Sequence, residues 1–326
     1  MDLNKLSIST APHIHRNTYV RKSMAIVVIA LLPAFAAAVW QFGVSAVIVT
    51  AVSVCSCVLF EWLGCKYLLK KPCTLGDGSA IVTGLLLAFN LPSSMPLYQI
   101  VTGAAVAIGL GKLVFGGIGN NPFNPALVGR VFMLVSFPTR MTSWPAVGQM
   151  LAYTDATTCA TPLYYVKGMV QGYGVNMSDL PTFWDMFWGR MPGCIGEISA
   201  IALIAGLVIL LVTRTITWHI PVSILATVAV IATALHFASP DLFIAPQYHL
   251  MCGGLLLGSC FMATDYTTSP MTHKGMVIYG ICIGFITMVI RLFGSYPEGM
   301  SFAILIMNAF VPLINRGCRS RHFSKI

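Results

Sequence analysis

The sequence predicts an all-α integral membrane protein of about ten transmembrane helices, arranged as two five-helix halves of opposite orientation. Composition, the spacing of apolar segments and the distribution of charge each contribute to this prediction. Of the 326 residues, 57% are hydrophobic and only 9% are charged, and the mean hydropathy is +0.81. Because soluble domains carry about 25% charged residues, a chain this apolar is expected to lie in a bilayer.

Ten apolar segments are close to the length that crosses the hydrocarbon core as a helix, which is about 20 residues with a range of about 17–25. They are residues 23–40, 43–62, 78–92, 97–117, 124–138, 195–213, 220–238, 250–264, 276–293 and 299–314. The connections between them are short, apart from the loop 139–194. We therefore expect a single membrane domain over residues 1–326.

Basic residues set the orientation, because loops on the cytoplasmic side carry an excess of Lys and Arg. With a cytoplasmic N-terminus, four basic residues fall outside: Arg140, Lys167, Arg190 and Arg291. Fourteen fall inside: Lys5, Arg16, Arg21, Lys22, Lys66, Lys70, Lys71, Lys112, Arg214, Lys274, Arg316, Arg319, Arg321 and Lys325. Both termini, including the basic tail 315–326, are thus predicted to be cytoplasmic, and the loop 139–194 faces outward. The basic residues that give the net charge of +9 flank the apolar segments. We therefore expect membrane lipid, rather than nucleic acid, as the partner.

The ten segments divide into halves of similar length, residues 23–138 and 195–314. An odd number of spans per half makes the second half enter the membrane from the opposite side, as an inverted repeat requires. The third, fifth, eighth and tenth segments occupy matching positions, and all four are short, at 15–16 residues. Short segments at matching positions indicate a binding site near the repeat interface. The alternative is ten unrelated helices.

Polar residues at segment ends mark three stretches that suit a cavity: 77–92, 109–130 and 253–275. Backbone and polar groups at membrane depth are tolerated only inside protein or along a cavity. Asn121 and Asn124 are three residues apart, so they would share a face in a helical first turn, and Asn124 suits the N-cap of the fifth segment. Amides and the carboxylate of Asp265 complement the carbonyl oxygens and N–H group of a flavin ring. Helix caps and kinks are the alternative interpretation.

Among the ionisable residues in or beside the apolar segments, five suggest a particular position or role. Lys112 is expected to extend to the cytoplasmic interface, and Arg291 and Glu298 to lie at the outer interface. Arg130 suits structural pairing, or contact with a phosphate or a flavin. Glu197 suits a helix N-terminal carboxylate or a role in ion coupling.

Six motifs in order carry a resemblance to a known family: "DGSAIVTGLLLAFNLP", "FGGIGNNPFNPALVGRVF", "DATTCATPL", "PGCIGEISA", "FMATDYTTSP" and "SYPEGMSFAILIMN". The chain resembles the RnfD subunits of Rnf-type ferredoxin:NAD oxidoreductases over nearly its whole length. These subunits are homologous to the NqrB subunit of the sodium-pumping NADH:quinone reductase. The resemblance implies a ten-helix fold similar to urea transporters.

The resemblance also implies a covalent FMN, attached through its phosphate to the last threonine of a D-x-x-[ST]-G-A-T pattern. The pattern corresponds to the stretch from Asp155 to Thr161, with Thr158 and Ala160 inside it, so Thr161 is the expected attachment site. A flavin transferase would make this bond outside the cytoplasm with FAD as the donor. Cys159 departs from the family pattern, which usually has glycine at this position. Flavinylation would be weakened if the turn required a positive φ at that position.

A second, non-covalent flavin, riboflavin, is implied near the cytoplasmic side, with contacts from Asn121 and Asn124 and with Asp265 as a neighbour. The implied function is electron relay between the two flavins within an ion-translocating complex of the bacterial inner membrane. The coupling ion, Na⁺ or H⁺, stays open. The chain has no nucleotide-binding motif and no Cys cluster for iron–sulfur centres or another metal. It is therefore not catalytic alone, and iron–sulfur and flavin-bearing partner subunits are required.

Two other functions remain possible at this point. A solute channel or carrier of the urea-transporter type would show the same repeats and broken segments. An inert membrane scaffold would carry no flavin. The stretch from Asp155 to Thr161 separates these alternatives, because neither a channel nor a scaffold requires it.

Overall fold

The computed structural model describes residues 17–70, 75–150, 153, 157–170, 180–240, 243–294, 296 and 298–318. These residues are mostly helical, as the sequence predicts. The α-helices are α1 Asn17–Phe42, α2 Val44–Leu63, α3 Ser79–Phe89, α4 Leu97–Ile108, α5 Pro125–Ser136, α6 Pro138–Met141, α7 Pro162–Val170, α8 Phe183–Trp188, α9 Ala200–Val212, α10 His219–Ala238, α11 Pro246–Met251, α12 Leu255–Leu257, α13 His273–Phe293 and α14 Met300–Gly317.

Five helices in the described part of the chain are long and apolar enough to cross a membrane: Val20–Phe42, Val44–Leu69, His219–Ala238, His273–Phe293 and Met300–Gly317. Four further apolar helices are shorter: Ser79–Phe89, Leu97–Leu113, Pro125–Ser136 and Ala200–Val212. Large apolar side chains such as Trp40, Phe237 and Phe293 are more than 70% exposed on the outside of the bundle. An apolar outer surface is typical of a multi-pass membrane protein, because lipid covers it.

The helices pack in the same pattern in the two halves. In the first half α2 packs on α3 and α4, and α4 packs on α5; in the second, α10 packs on α11 and α13, and α13 on α14. The halves meet where α1 packs on α9 and α5 packs on α14. Corresponding helices of the two halves thus have corresponding neighbours, and the inverted repeat and the number of membrane crossings stay predictions.

Small residues allow these helices to approach closely, as is common in membrane bundles. Gly84 of α3 lies against α2, where an added Cβ would be 2.7 Å from the Cα of Val54. Gly206 of α9 similarly lies against the backbone of Ala30 in α1. Larger residues at these positions would separate the helices and shift the segments that line the cavity described below.

The eighth apolar segment differs from the prediction of one helix over 250–264. It consists of α11, a break at Cys252–Gly254, and α12 continuing into a π-helical turn, Gly258–Met262. Gly253 and Gly254 have φ angles of 67° and 47°, a region that glycine adopts readily. The paired glycines therefore end one helix and start another at membrane depth, which interrupts this segment more completely than its length alone indicated.

The third and fifth segments are continuous helices that are shorter than predicted. α3 ends at Phe89, and the backbone N–H groups of Ile195 and Gly196 donate to the carbonyls of Leu91 and Phe89. α5 begins after Asn124, whose side chain accepts from the Ala126 N–H at 3.1 Å, so the predicted N-cap is confirmed. Two further π-helical turns, Gly64–Leu69 and Gly109–Leu113, extend α2 and α4.

The predicted outer loop folds back on the α1–α2 connection. A short antiparallel pair forms between β1 (Trp144–Pro145) and β2 (Thr158–Cys159). The Val44 N–H donates to the Met150 carbonyl at 3.0 Å, and the Gly148 N–H donates to the Gln41 carbonyl at 3.1 Å. The loop is thus attached to the C-terminal end of α1.

Candidate functional site

A cavity of about 420 Å³ opens among helix ends that the charge distribution assigns to the cytoplasmic side. The N-terminal parts of α1, α3 and α5, the end of α9 and the segment after Met262 surround it. Its wall combines apolar side chains with polar ones, among them Asp77, Ser79, Lys112, Asn121, Asn124 and Asp265. Mostly apolar pockets of about 300–1,000 Å³ with a few convergent polar groups are typical small-molecule sites.

The two asparagines of the N-x-x-N pair both line this cavity, and both are buried. The Asn124 amide Nδ2 donates to the Met262 carbonyl at 3.2 Å, in addition to its capping bond. Asn121 precedes α5, and its Nδ2 donates to the Phe123 carbonyl at 3.0 Å. Asn124 therefore connects the start of the fifth segment to the end of the eighth, which fixes the cavity wall between the two halves.

Asp265 lines the same cavity from the second half, so the structure brings together the three residues predicted for the cytoplasmic flavin site. Its Oδ2 accepts from the Thr267 hydroxyl at 3.1 Å and the Thr268 hydroxyl at 3.3 Å. Burial raises the pKa of the Asp265 carboxyl, and the hydrogen bonds from Thr267 and Thr268 oppose that rise. The carboxyl is thus held in place as a hydrogen-bond acceptor facing the cavity.

The prediction that Lys112 extends to the cytoplasmic interface is wrong. Lys112 is only 3% exposed, and its Nζ lies 2.7 Å and 2.8 Å from the two carboxylate oxygens of Glu61. Its third bond, at 2.7 Å, is to the Ser79 hydroxyl. A buried ammonium requires such partners, because burying an unpaired charge costs several kcal/mol. Glu61 belongs to this site although no prediction included it, and a lone acid within an apolar segment is its signal in the sequence. Ser79 lies in the stretch 77–92 that is predicted to suit a cavity, but the prediction does not name it individually.

The predicted FMN attachment site lies at the other end of the molecule. Thr158 is exposed in β2, Ala160 is half-buried, and Thr161 is 6% exposed directly before α7. The Thr161 carbonyl accepts from the Tyr164 N–H at 3.0 Å, and α7 packs through Leu163 and Val166 against α8 and α11. Asp155, the first residue of the pattern, lies outside the described residues.

Cys159 does not adopt the conformation that would require glycine. It is paired with Trp144 in the short sheet, and the non-glycine residues of the described chain with positive φ are Lys70 and Arg214. Position 159 therefore does not require a positive φ in this structure, and cysteine does not strain the turn.

A second polar cluster surrounds the break in the eighth segment. The Arg291 guanidinium donates to the carbonyls of His249 at 2.6 Å, Cys252 at 2.9 Å and Gly253 at 2.6 Å, where α11 ends. The Glu197 carboxylate accepts from the Gly254 N–H at 2.6 Å, where α12 begins. A cation at a helix C-terminus and an anion at an N-terminus both complement the helix dipole. The prediction for Glu197 is thereby corrected, because it serves the start of α12 and its own helix begins later, at Ala200. Arg291 is buried within the protein, and its position relative to the outer interface stays a prediction.

Arg130 completes this cluster by bonding to the carboxylate of Glu298 and the hydroxyl of Ser301 in the opposite half. The predicted structural pairing of Arg130 is confirmed, and its partner carboxylate on Glu298 is mostly buried. The position of Glu298 relative to the outer interface stays a prediction. The Cys194 sulfur and the carboxylate oxygens of Glu197 and Glu298 lie within 4.8 Å of one another. Both carboxylates already have donors, and two arginines balance their charge, so the cluster suits an ion-pair network better than a metal centre.

Comparison with known proteins adds the following findings. The sequence matches the profile of the NQR2, RnfD, RnfE family over residues 7–324. It is 45% identical over 318 residues to a protein of Acetobacterium woodii that is named as a subunit of a Na⁺-translocating ferredoxin:NAD⁺ oxidoreductase complex. The match covers 97% of this chain and 94% of that protein.

Two further relatives are similar over almost their full lengths. A protein of Clostridium ljungdahlii, named as a subunit of a proton-translocating ferredoxin:NAD⁺ oxidoreductase complex, is 39% identical over 317 residues, 96% of this chain and 94% of that protein. A protein of Escherichia coli O81, named as a subunit of an ion-translocating oxidoreductase complex, is 35% identical over 345 residues, 96% of this chain and 97% of that protein. The names agree on the same kind of complex and differ in the ion.

Proposed function

Because the chain belongs to the NQR2, RnfD, RnfE family, we propose that it is the flavin-carrying membrane subunit of an ion-translocating ferredoxin:NAD⁺ oxidoreductase complex. Its partners in this proposal are the iron–sulfur and flavin-bearing subunits of the same complex, together with membrane lipid. It would lie in the bacterial inner membrane. The relatives named above include both a Na⁺-translocating and a proton-translocating protein, so family membership is compatible with either coupling ion.

The single observation that carries the proposal is the cavity that gathers Asn121, Asn124 and Asp265. Its volume of about 420 Å³ lies in the range of cofactor pockets. Amide groups offer donors and acceptors, and the carboxylate offers acceptors, which is the set that the edge of an isoalloxazine ring requires. These residues therefore fit a non-covalent riboflavin.

The roles of the chain's own residues follow from their positions. Asn121 and Asn124 orient the ring edge, Asp265 accepts from a ring N–H, and the apolar wall excludes water. Thr161 supplies the hydroxyl that holds FMN at the outer side, where a flavin transferase joins the two. The bound flavins supply the electron-transfer chemistry, and the protein sets their positions and electrostatic surroundings.

The two proposed flavin positions are separated along α1. Val27 lines the cavity near the beginning of this helix, and Gln41 holds the outer loop near its end. Fourteen residues at a rise of 1.5 Å place these points roughly 20 Å apart. Occupied sites at both ends would make this subunit part of an electron path across the bilayer.

We further propose that the two halves form a ten-span inverted repeat of the urea-transporter type, with both termini in the cytoplasm. The shared packing pattern of the halves supports it, as does the excess of basic residues on one side. Labelling of single cysteines introduced at Gly76 and at Gln149, in a variant whose native cysteines are replaced, tests the orientation in intact cells. Membrane-impermeant reagent should label position 149 and leave position 76 unlabelled; the reverse pattern would invert the topology.

Replacing Asn124 by alanine is expected to weaken riboflavin binding about 5- to 30-fold, since losing one buried hydrogen bond costs about 1–2 kcal/mol. The measurement is the riboflavin extracted per purified complex, determined by chromatography. The matched control is Ser199→Ala, because Ser199 also caps a helix through its side chain but does not line the cavity. Equal riboflavin content in both variants would show that Asn124 does not bind riboflavin.

Replacing Cys159 by glycine is expected to leave covalent flavin attachment unchanged, because Cys159 sits in β2 without a positive φ. The measurement is flavin fluorescence of the denatured band on a gel, divided by the amount of protein. A clearly brighter glycine variant would show that the transferase needs a conformation at this position that cysteine resists.

A further inference from the structure

Lys112 lies beside the cavity, and all three N–H groups of its ammonium are hydrogen-bonded. It lies in the π-helical turn Gly109–Leu113, and such turns occur frequently at functional sites. An ammonium has three N–H donors, and all three are used by the Glu61 carboxylate and the Ser79 hydroxyl. Lys112 therefore acts on a bound molecule through Ser79 rather than by a direct hydrogen bond.

Ser79 is the first residue of α3, lines the cavity and is 7% exposed. Its Oγ accepts from Lys112, so the hydroxyl hydrogen must point elsewhere. Among the described residues, no protein acceptor receives that hydrogen. The bond from Lys112 thus leaves Ser79 as a donor toward the cavity, and the neighbouring cation strengthens that donor.

The start of α3 adds positive polarity at the same point. Gly78 is its N-cap with φ of 74°, and no side chain caps the first N–H groups. These groups carry the positive end of the helix dipole. Asp77 also lines the cavity, and it offers acceptors, as Asp265 does on the side of the second half. Lys112, Ser79 and the start of α3 therefore form a donor centre at the cavity wall.

We propose that the Ser79 hydroxyl, oriented by the buried Lys112–Glu61 pair, donates to the atom of the bound flavin ring that gains negative charge on reduction. This inference rests on the proposed riboflavin site. Ser79 is the contact residue, and Lys112 is a positioning residue that acts through it. Because hydrogen bonds to a charged acceptor are stronger than those to a neutral one, the arrangement favours the reduced flavin and raises its potential.

The test compares three purified complexes with the wild type: Ser79→Ala, the double variant Glu61→Gln with Lys112→Met, and Ser53→Ala. The double variant removes both charges together, because an unpaired buried carboxylate would threaten folding. Ser53 is the matched control, since its buried hydroxyl donates to the Gly84 carbonyl at 2.8 Å, away from the cavity. One readout is the riboflavin extracted per complex. The other is the shift in the midpoint potential of riboflavin, obtained as the difference between the wild-type and variant reductive titrations.

Ser79→Ala is expected to reduce the preference for reduced over oxidised riboflavin about tenfold, which lowers the potential of a two-electron couple by about 30 mV. The double variant should shift it in the same direction, and Ser53→Ala should not shift it. Loss of riboflavin from Ser79→Ala alone would also support the contact. Unchanged content and potential in both cavity variants would overturn the inference while leaving the site intact. A wild-type complex without non-covalent flavin would instead refute the proposed site itself.

Discussion

Replacing Thr161 by alanine is expected to abolish covalent flavin on this chain. The proposed bond joins the threonine hydroxyl oxygen to the phosphate of FMN, with AMP leaving from the FAD donor, and alanine has no oxygen to form it. The measurement is yellow-green fluorescence of the denatured band after expression with an active flavin transferase. Intact mass should confirm that an FMN-phosphoryl group is present on the wild type and absent from the variant.

The matched control is Thr157→Ala, in the same loop. Thr157 is exposed and bonds to Gln149, whereas Thr161 is nearly buried before α7. Because both changes remove one threonine methyl and one hydroxyl, a difference between them isolates the attachment chemistry. A fluorescent Thr161→Ala band would exclude this residue. A wild-type band without fluorescence would exclude covalent flavin and revive the solute channel as the function.

Burial of Thr161 has a consequence for this modification. At 6% exposure, Thr161 as a whole is scarcely accessible to a second protein in the folded loop. The transferase would therefore act while the start of α7 is lifted away, either before the loop packs on α11 or during local opening. We therefore expect the transferase to attach flavin more slowly to the folded protein than to protein that is still being synthesised.

The sequence alone predicts features that depend on residues close to one another along the chain. Apolar length located nine of the ten segments as single helices, and an asparagine before a proline and an apolar run located the start of α5. The predicted site residues Asn121, Asn124 and Asp265 do line one cavity, because all three lie at segment ends assigned to the same side. Topology alone thus brought these residues close together.

What the sequence did not predict depends on contacts between distant segments. Lys112 meets Glu61, 51 residues away, so its burial follows from the packing of α4 on α2 and not from its local sequence. Arg291 likewise finds carbonyls that become available only because the eighth segment breaks. The break itself had a local signal, the Gly253–Gly254 pair, since adjacent glycines often end a helix.

The largest expected effect on stability comes from Arg130. Replacing it by methionine leaves the buried Glu298 carboxylate without its cation, and breaking one side of a buried pair costs about 3–5 kcal/mol. Because Arg130 belongs to α5 and Glu298 precedes α14, the change also weakens the contact between the two halves. The measurement is the melting temperature of the detergent-solubilised protein, followed by size-exclusion chromatography after heating.

The double variant Arg130→Met with Glu298→Gln separates pairing from packing. It removes both charges at similar side-chain volume, so much of the lost stability should return, whereas the exposed Arg140→Met should stay within about 0.5 kcal/mol of wild type. If the double variant is as unstable as Arg130→Met, packing or the Ser301 bond dominates and the ion pair is not what joins the halves. If it recovers, then the charge pair stabilises the interface at which the cavity is built, and flavin content should recover with it.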